Sequence, residues 1–253
     1  MTDTPNPNLR ISTMTLISGI SSNINLLNLY KNLSINDILR FIEFGLHPLK
    51  GEKKNKIKNP RKKKIKKFFY NQMTIHILKD KIVNMKIFNN GRIQMTGLKS
   101  EEQGYNVIQL FLDEINKLSP TVKETIFDNI EPETIPGRIV LINSDFSFGH
   151  KINREVLYRI ITEKGYYSSY EPCSYPGVNI KYYYNVRNQN DGICNCLCEC
   201  NGKGGSNCKS ITIAVFNSGN IIITGGQSYK HLTIAYDFIC KILNENKNDI
   251  LIK

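Results

Sequence analysis

Apolar and polar residues alternate with a period of two in two distant stretches of the chain. In the first, Met85, Ile87, Ile93 and Met95 fall on one side of a strand pair, and Lys86, Phe88, Arg92, Gln94 and Thr96 on the other. In the second, Ile213, Val215, Ile221 and Ile223 oppose Ala214, Phe216, Asn220, Ile222 and Thr224. Each pair is joined by three residues ending in glycine, Asn89-Asn90-Gly91 and Asn217-Ser218-Gly219, which suits a hairpin whose last loop residue is left-handed. The apolar sets predict core faces, while a Phe, a Thr and further apolar residues on the opposite faces are unusual for solvated surface. The stretches are copies: Phe, Asn, Gly, Ile, Thr, Gly and Ser recur at equal offsets in residues 88–100 and 216–228. A repeat of this length predicts a duplicated unit within one pseudo-symmetric domain.

The period then changes to that of a helix. Ser100 and Gln103 form a capping box ahead of Val107, Leu110, Phe111, Ile115 and Leu118. Ser228 caps a second helix carrying Leu232, Ala235, Ile239, Ile242 and Leu243. Both helices are expected to cover the core face of their sheet. Upstream, short strands (Arg10 to Leu16; Ile139 to Asn143) precede shorter helices (about Ile24 to Leu33; Arg154 to Glu163). Each half thus reads strand, helix, strands, hairpin, long helix, with a boundary at the Pro-containing turn of residues 131–136.

Residues 166–177, Tyr-Tyr-Ser-Ser-Tyr-Glu-Pro-Cys-Ser-Tyr-Pro-Gly, resemble the second-repeat stirrup of the TATA-binding protein family, and residues 96–103 resemble that family's first-repeat turn and helix start. The likeness runs from about Leu9 to Leu243, interrupted by two insertions. It implies an α+β fold: a pseudo-two-fold saddle of two repeats, with a curved antiparallel sheet and helices on the convex face. The implied organisation is a tail of residues 1–8, a first repeat of 9–130 with a basic insertion at 50–67, and a second repeat of 131–253 with a Cys-rich insertion at 186–208. The implied function is a non-enzymatic transcription initiation factor that binds and bends duplex DNA through an A·T-rich minor groove. Its implied partners are IIB-like and IIA-like general transcription factors. A saddle-fold interaction scaffold with weak or no sequence-specific DNA binding is the alternative.

The resemblance carries over residue by residue. Phe88 and Phe216 match the hairpin members of two wedge pairs, and Tyr175 matches the stirrup member of the second pair. For the first stirrup the choice lies within Phe68-Phe69-Tyr70: parity of Met73, Ile75 and Ile77 with Val178, Ile180 and Tyr182 favours Tyr70, and likeness to the family residue favours Phe69. Thr96 and Thr224 match base-edge contacts; Ile11, Ile142 and Ile222 match apolar groove contacts, with Gln94 at the fourth such place. Arg92, Lys99 and Lys181 match phosphate-facing positions, while Asn220 and Gln227 replace basic residues. Leu9 and Val140 stand where the family has central asparagines. Glu171, within Tyr170-Glu171-Pro172, matches the segment that meets the IIB factor.

Charge points the same way. Lys and Arg total 34 against 22 Asp and Glu, a formal net charge of +12 that suits a polyanion. Much of the excess lies between Lys50 and Lys67, readable as a solvated loop, a nuclear-import signal around residues 60–64, or a phosphate contact. Cys194, Cys196, Cys198, Cys200 and Cys208 crowd into one polar stretch, but their single-residue gaps and the lack of a nearby His argue against zinc, so neither metal nor cofactor is expected. Cys173 and Cys240 read as stirrup and core residues, and no secretory leader is evident. His47, His76, His150 and His231 form no ligand pattern, although His76 aligns with Lys181. No nucleophile set, P-loop, dinucleotide fingerprint or membrane-length apolar run is present. The Ile-, Lys- and Asn-rich composition, with the insertions, resembles divergent family members of large DNA viruses or some protists. The compartment is then the nucleus for a cellular protein, or the virion or viral replication compartment for a viral one.

Overall fold

A computed structural model describes residues 4, 6–52, 69–185, 191–194, 196, 200, 202–203 and 208–252. Most of the basic run and Phe68 therefore lie outside the described residues, as does Cys198. The chain divides into two compact units, one of residues 14–139 and one of residues 1–13 with 140–253.

The first unit contains most of β1 (Arg10–Ile20), then α1 (Leu26–Asn32), β2 (Leu39–Phe44), β3 (Lys50–Gly51), β4 (Gln72–Leu78), β5 (Ile82–Phe88), β6 (Arg92–Leu98), α2 (Glu101–Asn116), α3 (Pro120–Ile126) and the start of β7 (Thr134–Ser147). Its strands form an antiparallel sheet in the order β3-β2-β4-β5-β6-β1. The second unit takes the rest of β7, then α4 (Arg154–Glu163), β8 (Ser168–Ser169), β9 (Val178–Tyr184), β10 (Lys209–Val215), β11 (Asn220–Gly226), α5 (Tyr229–Glu245) and α6 (Lys247–Ile250). Its sheet, also antiparallel, runs β7-β11-β10-β9-β8.

Both hairpins have the expected register. Met85 pairs with Met95 and Ile87 with Ile93, as Ile213 pairs with Ile223 and Val215 with Ile221, and all eight side chains are fully buried. At about 1.5–3 kcal/mol for each large apolar side chain removed from water, these sets pin the register, because a one-residue slip would expose all of them. Gly91 (φ 75°) and Gly219 (φ 82°) close the loops with N–H bonds to Phe88 O at 3.0 Å and Phe216 O at 2.9 Å. The backbone comes close here: a Cβ on Gly91 would collide with the carbonyl oxygens of Ile20 and Ser22, and one on Gly219 with that of His150. The second glycine of each copy has its own role. Gly97 (φ 92°) and Gly225 (φ 95°) sit where the register shifts beside Thr96 and Thr224, so the Thr-Gly pairs are bulges.

Helix caps are duplicated too. Ser100 Oγ accepts from Gln103 N at 3.1 Å and Gln103 Oε1 accepts from Lys99 N at 2.7 Å. In the second unit Ser228 Oγ accepts from His231 N, and His231 Nδ1 accepts from Gln227 N at 3.2 Å, so a histidine takes the glutamine's place. Beneath the first sheet, Gly104 lets α2 approach Leu16 and Leu98, while Val107, Phe111 and Ile115 are fully buried. Ala235, Ile239 and Leu243 do the same for α5.

The long strands exceed their expected lengths. β1 continues to Ile20 because Ile17, Ser18 and Gly19 pair with Gln94, Ile93 and Arg92. β7 starts at Thr134 and runs to Ser147, which pairs with Asn220. Polar residues at Ser18 and Ser144 mask this extension in sequence; both are buried, and each hydroxyl donates to a backbone oxygen, of Ile135 and Ile223 respectively. No helix among the described residues is long and apolar enough to cross a membrane.

Candidate nucleic-acid interface

Among the described residues, each sheet has one face without a covering helix. In the first unit the ladder sets Ile17, Gln94, Lys86 and Thr74 in one row and Thr15, Thr96, Asn84 and His76 in the next. Phe88 is half-buried opposite Gln72, next to exposed Arg92 across the hairpin. In the second unit the corresponding rows are Asp145, Ile222, Ala214 and Asn179, and Asn143, Thr224, Thr212 and Lys181. Phe216 again closes the hairpin end, with the Tyr175 ring edge-on at 5.8 Å. Gly177 permits that pair, since a Cβ there would press on both rings.

The matched residues are distributed unevenly. Thr96 is exposed and Thr224 half-buried, with Thr224 Oγ1 donating to Asn143 Oδ1. Ile222 is exposed; Gln94 and Ile11 are half-buried. Arg92 and Lys99 are exposed, whereas Lys181 Nζ donates to Thr212 Oγ1 at 2.7 Å within its own row. Glu171 is exposed on a turn whose backbone oxygen accepts from Tyr175 N at 2.8 Å.

Registers also relate the first stirrup to the second by position. Met73 pairs with Ile87 as Val178 pairs with Val215, so Tyr70, three residues before Met73, stands where Tyr175 stands before Val178. Tyr70 is exposed, lies edge-on to Phe44 at 6.3 Å and covers Gly45; Phe69 is equally exposed beside it.

Three sequence-based placements need correction. Ile142 is fully buried and cannot be a groove contact, because alternation along β7 turns Asn143 to the open face and Ile142 to the core. Thr15 and Asn143 occupy equal places opposite Thr96 and Thr224; counting back four residues makes Ile139, half-buried, the counterpart of Ile11. Counting back six makes Gly137, and not Val140, the repeat counterpart of Leu9. Lys50, at the head of the basic run, does not extend toward solvent. Its ammonium donates to Tyr30 O and to Leu33 O at 2.6 Å and lies 4.5 Å from the Tyr30 ring, and burial lowers its pKa.

Sequence inspection confined to the hairpins missed Asn84, Asn143, Thr212 and Asp145, which share the open faces. Their signal was available in the equal offsets of the repeat carried beyond the hairpins. Asp145 is an acid on such a face, paired with Arg10 at 2.7 Å. Four cysteines of the crowded insertion also converge in space: the Sγ atoms of Cys194, Cys196, Cys200 and Cys208 lie within 4.8 Å of one another.

With this geometry in view, similarity to known proteins is specific. Residues 137–246 match the family model described as Transcription factor TFIID (or TATA-binding protein, TBP). A TATA-box-binding protein-like protein of Acanthamoeba polyphaga mimivirus is 28% identical over 94% of this chain, which spans 65% of that relative's length. The Methanococcus jannaschii TBP structure superposes with a TM-score of 0.58 at 19% identity, covering 94% of this chain and 99% of that one. The chain thus resembles TATA-binding proteins along most of its length, with the family model itself matching its second half.

Its fold is the α+β fold of that family, as expected.

Proposed function

We propose that this TATA-binding-protein-like chain is a DNA-binding transcription factor that uses the two open sheet faces to seat on and bend a duplex minor groove. The observation that carries this reading is the repeated placement of an incompletely buried aromatic ring, Phe88 or Phe216, at the hairpin end of an open face that also bears a threonine, Thr96 or Thr224. Apolar rings at such positions act as wedges that unstack base steps, and the TATA-binding protein is itself the known example. Ile222, Gln94, Ile11 and Ile139 would contact the groove through fit rather than a base code, because A·T and T·A present the same acceptors there. Arg92, Lys99 and Lys181 would face phosphates. Tyr175 and Tyr70 or Phe69 would complete the wedge pairs. No catalytic group enters this account.

The test is energy transfer between dyes on the duplex ends. Replacing Phe88 and Phe216 together by Ala is expected to reduce the bend far more than it reduces low-salt binding. A folded double variant that bends DNA as the unmodified chain does would sink the mechanism.

A second reading, an interaction scaffold with weak DNA preference, is favoured by Asp145 on the open face and by Leu9 and Gly137 in place of central asparagines. Selection from a random DNA pool separates the two: an enriched A·T-rich site supports the first reading, and no enrichment supports the second. In either case exposed Glu171 would contact an IIB-like partner, and IIA-like factors are further candidates. Glu171→Arg is expected to weaken the IIB-like complex, and undiminished calorimetric binding would remove that anchor. Such a role would put a cellular protein in the nucleus and a viral one in the virion or viral replication compartment.

A further inference from the structure

A cluster of chemistry-bearing side chains lies apart from the open faces, at the end of the β9–β10 ladder remote from Phe216. There Tyr184 pairs with Lys209, and the described parts of the insertion fold back onto both strands. Tyr183 N donates to Gly192 O at 2.9 Å, and Ser210 N donates to Gly202 O at 2.7 Å. Gly192 (φ 87°) lies against the Tyr182 ring, and Gly202 (φ 65°) against Ser210, so the insertion is held to the hairpin at two places.

Between these anchors Cys194, Cys196, Cys200 and Cys208 converge, Cys208 buried and the others half-buried. Cys208 Sγ is 3.5 Å from Cys196 Sγ and 3.7 Å from Cys194 Sγ. A disulfide would require about 2.05 Å, and the four thiols are free. Four thiolates around a zinc ion at about 2.3 Å form a tetrahedron with edges of about 3.8 Å, close to the two separations observed. The donor set is soft and complete, since four sulfurs leave no open position for water. Outer-shell donors are present as well: the backbone N–H groups of Gly202 and Cys208 are directed at Cys200 sulfur, and Asn185 Nδ2 approaches Cys208 Sγ at 3.6 Å. Lys203 and Lys209, bridged next to Cys208, supply positive charge against the net negative charge of a zinc tetrathiolate.

We propose that Cys194, Cys196, Cys200 and Cys208 bind one Zn²⁺ in a closed structural site that fastens the insertion to the β9–β10 hairpin. The spacing argument against zinc fails because the set that converges has gaps of one, three and seven residues, and the strand anchors make up for the tight first pair. Binding releases the thiol protons to solvent and involves no redox change.

Elemental analysis of the full chain purified without added chelator tests this directly. One zinc per chain is expected. Cys194→Ser and Cys200→Ser should each reduce it severalfold, whereas Cys198→Ser, Cys173→Ser and Cys240→Ser should leave it unchanged. Replacement by Co²⁺ should give the thiolate charge-transfer and intense d–d bands of a tetrahedral sulfur site. Chelation should raise hydrogen exchange in residues 191–209 and leave the Phe88 hairpin protected. A chain that contains no zinc and takes up none would overturn the proposal. Stoichiometric iron in its place, a disulfide among the four, or equal zinc loss in Cys198→Ser would overturn it as well. The unmodified chain decides the first three of these outcomes, so a variant that fails to fold does not protect the idea.

Discussion

The two hairpins present the same ladder with different chemistry on the open side. In the first unit the positions between the threonine and the aromatic carry Lys86, Gln94 and Arg92; in the second they carry Ala214, Ile222 and Asn220. The core-facing sides show no such contrast, being apolar and fully buried in both. Folding explains the core side, because every residue there is held by register and burial. It constrains the open side less, so the features that both copies keep there, a ring at the hairpin end and a threonine before the bulge glycine, are the ones to test for a role beyond folding. The first unit is thus the more cationic face and the second the more apolar one.

The largest expected effect lies in what the units share. Gly91→Ala and Gly219→Ala each place a Cβ against a backbone carbonyl at positive φ, and should each cost about 2–4 kcal/mol. Gly149→Ala, at φ 81° with no atom near the added Cβ, should cost only about 1–2 kcal/mol. Urea unfolding of all three proteins checks this, and equal losses would mean that the close backbone approach is irrelevant.

A somewhat smaller effect would sharpen the charge difference. If about four lysines of the basic run touch phosphates, replacing residues 53–67 with Gly and Ser should reduce the slope of log affinity against log salt by roughly 3 to 4. Sequence preference should hardly change. Equal slopes with and without the run would dismiss it as a DNA contact and leave the open faces untouched.

The smallest effect comes from exchanging single positions between the copies. Arg92→Asn should lower that salt slope by about 0.9, and Asn220→Arg should raise it by about 0.9. Opposite shifts would show that the hairpin flanks face phosphate in both units. A shift in only one would mean that the two copies engage DNA differently, which would break the symmetry assumed above.

Much of this protein is determined locally. Period-two alternation, the loop glycines and the serine caps depend on neighbouring residues, and together they define both hairpins, both long helices and the core residues from Met85 to Met95 and from Ile213 to Ile223. Other features depend on a partner strand or on chain folding back from a distance. Ile142 resembles a groove contact by its neighbours, yet pairing with β11 turns it into the core and hands the open position to Asn143. Lys50 belongs to a run of like charges in sequence, but the carbonyls of Tyr30 and Leu33 draw it inward. The cysteines show spacing that discourages a metal, while the anchors at Gly192 and Gly202 close the insertion on itself and bring four sulfurs together. Spacing measures distance along the backbone, and only tertiary hydrogen bonds convert it into distance through space.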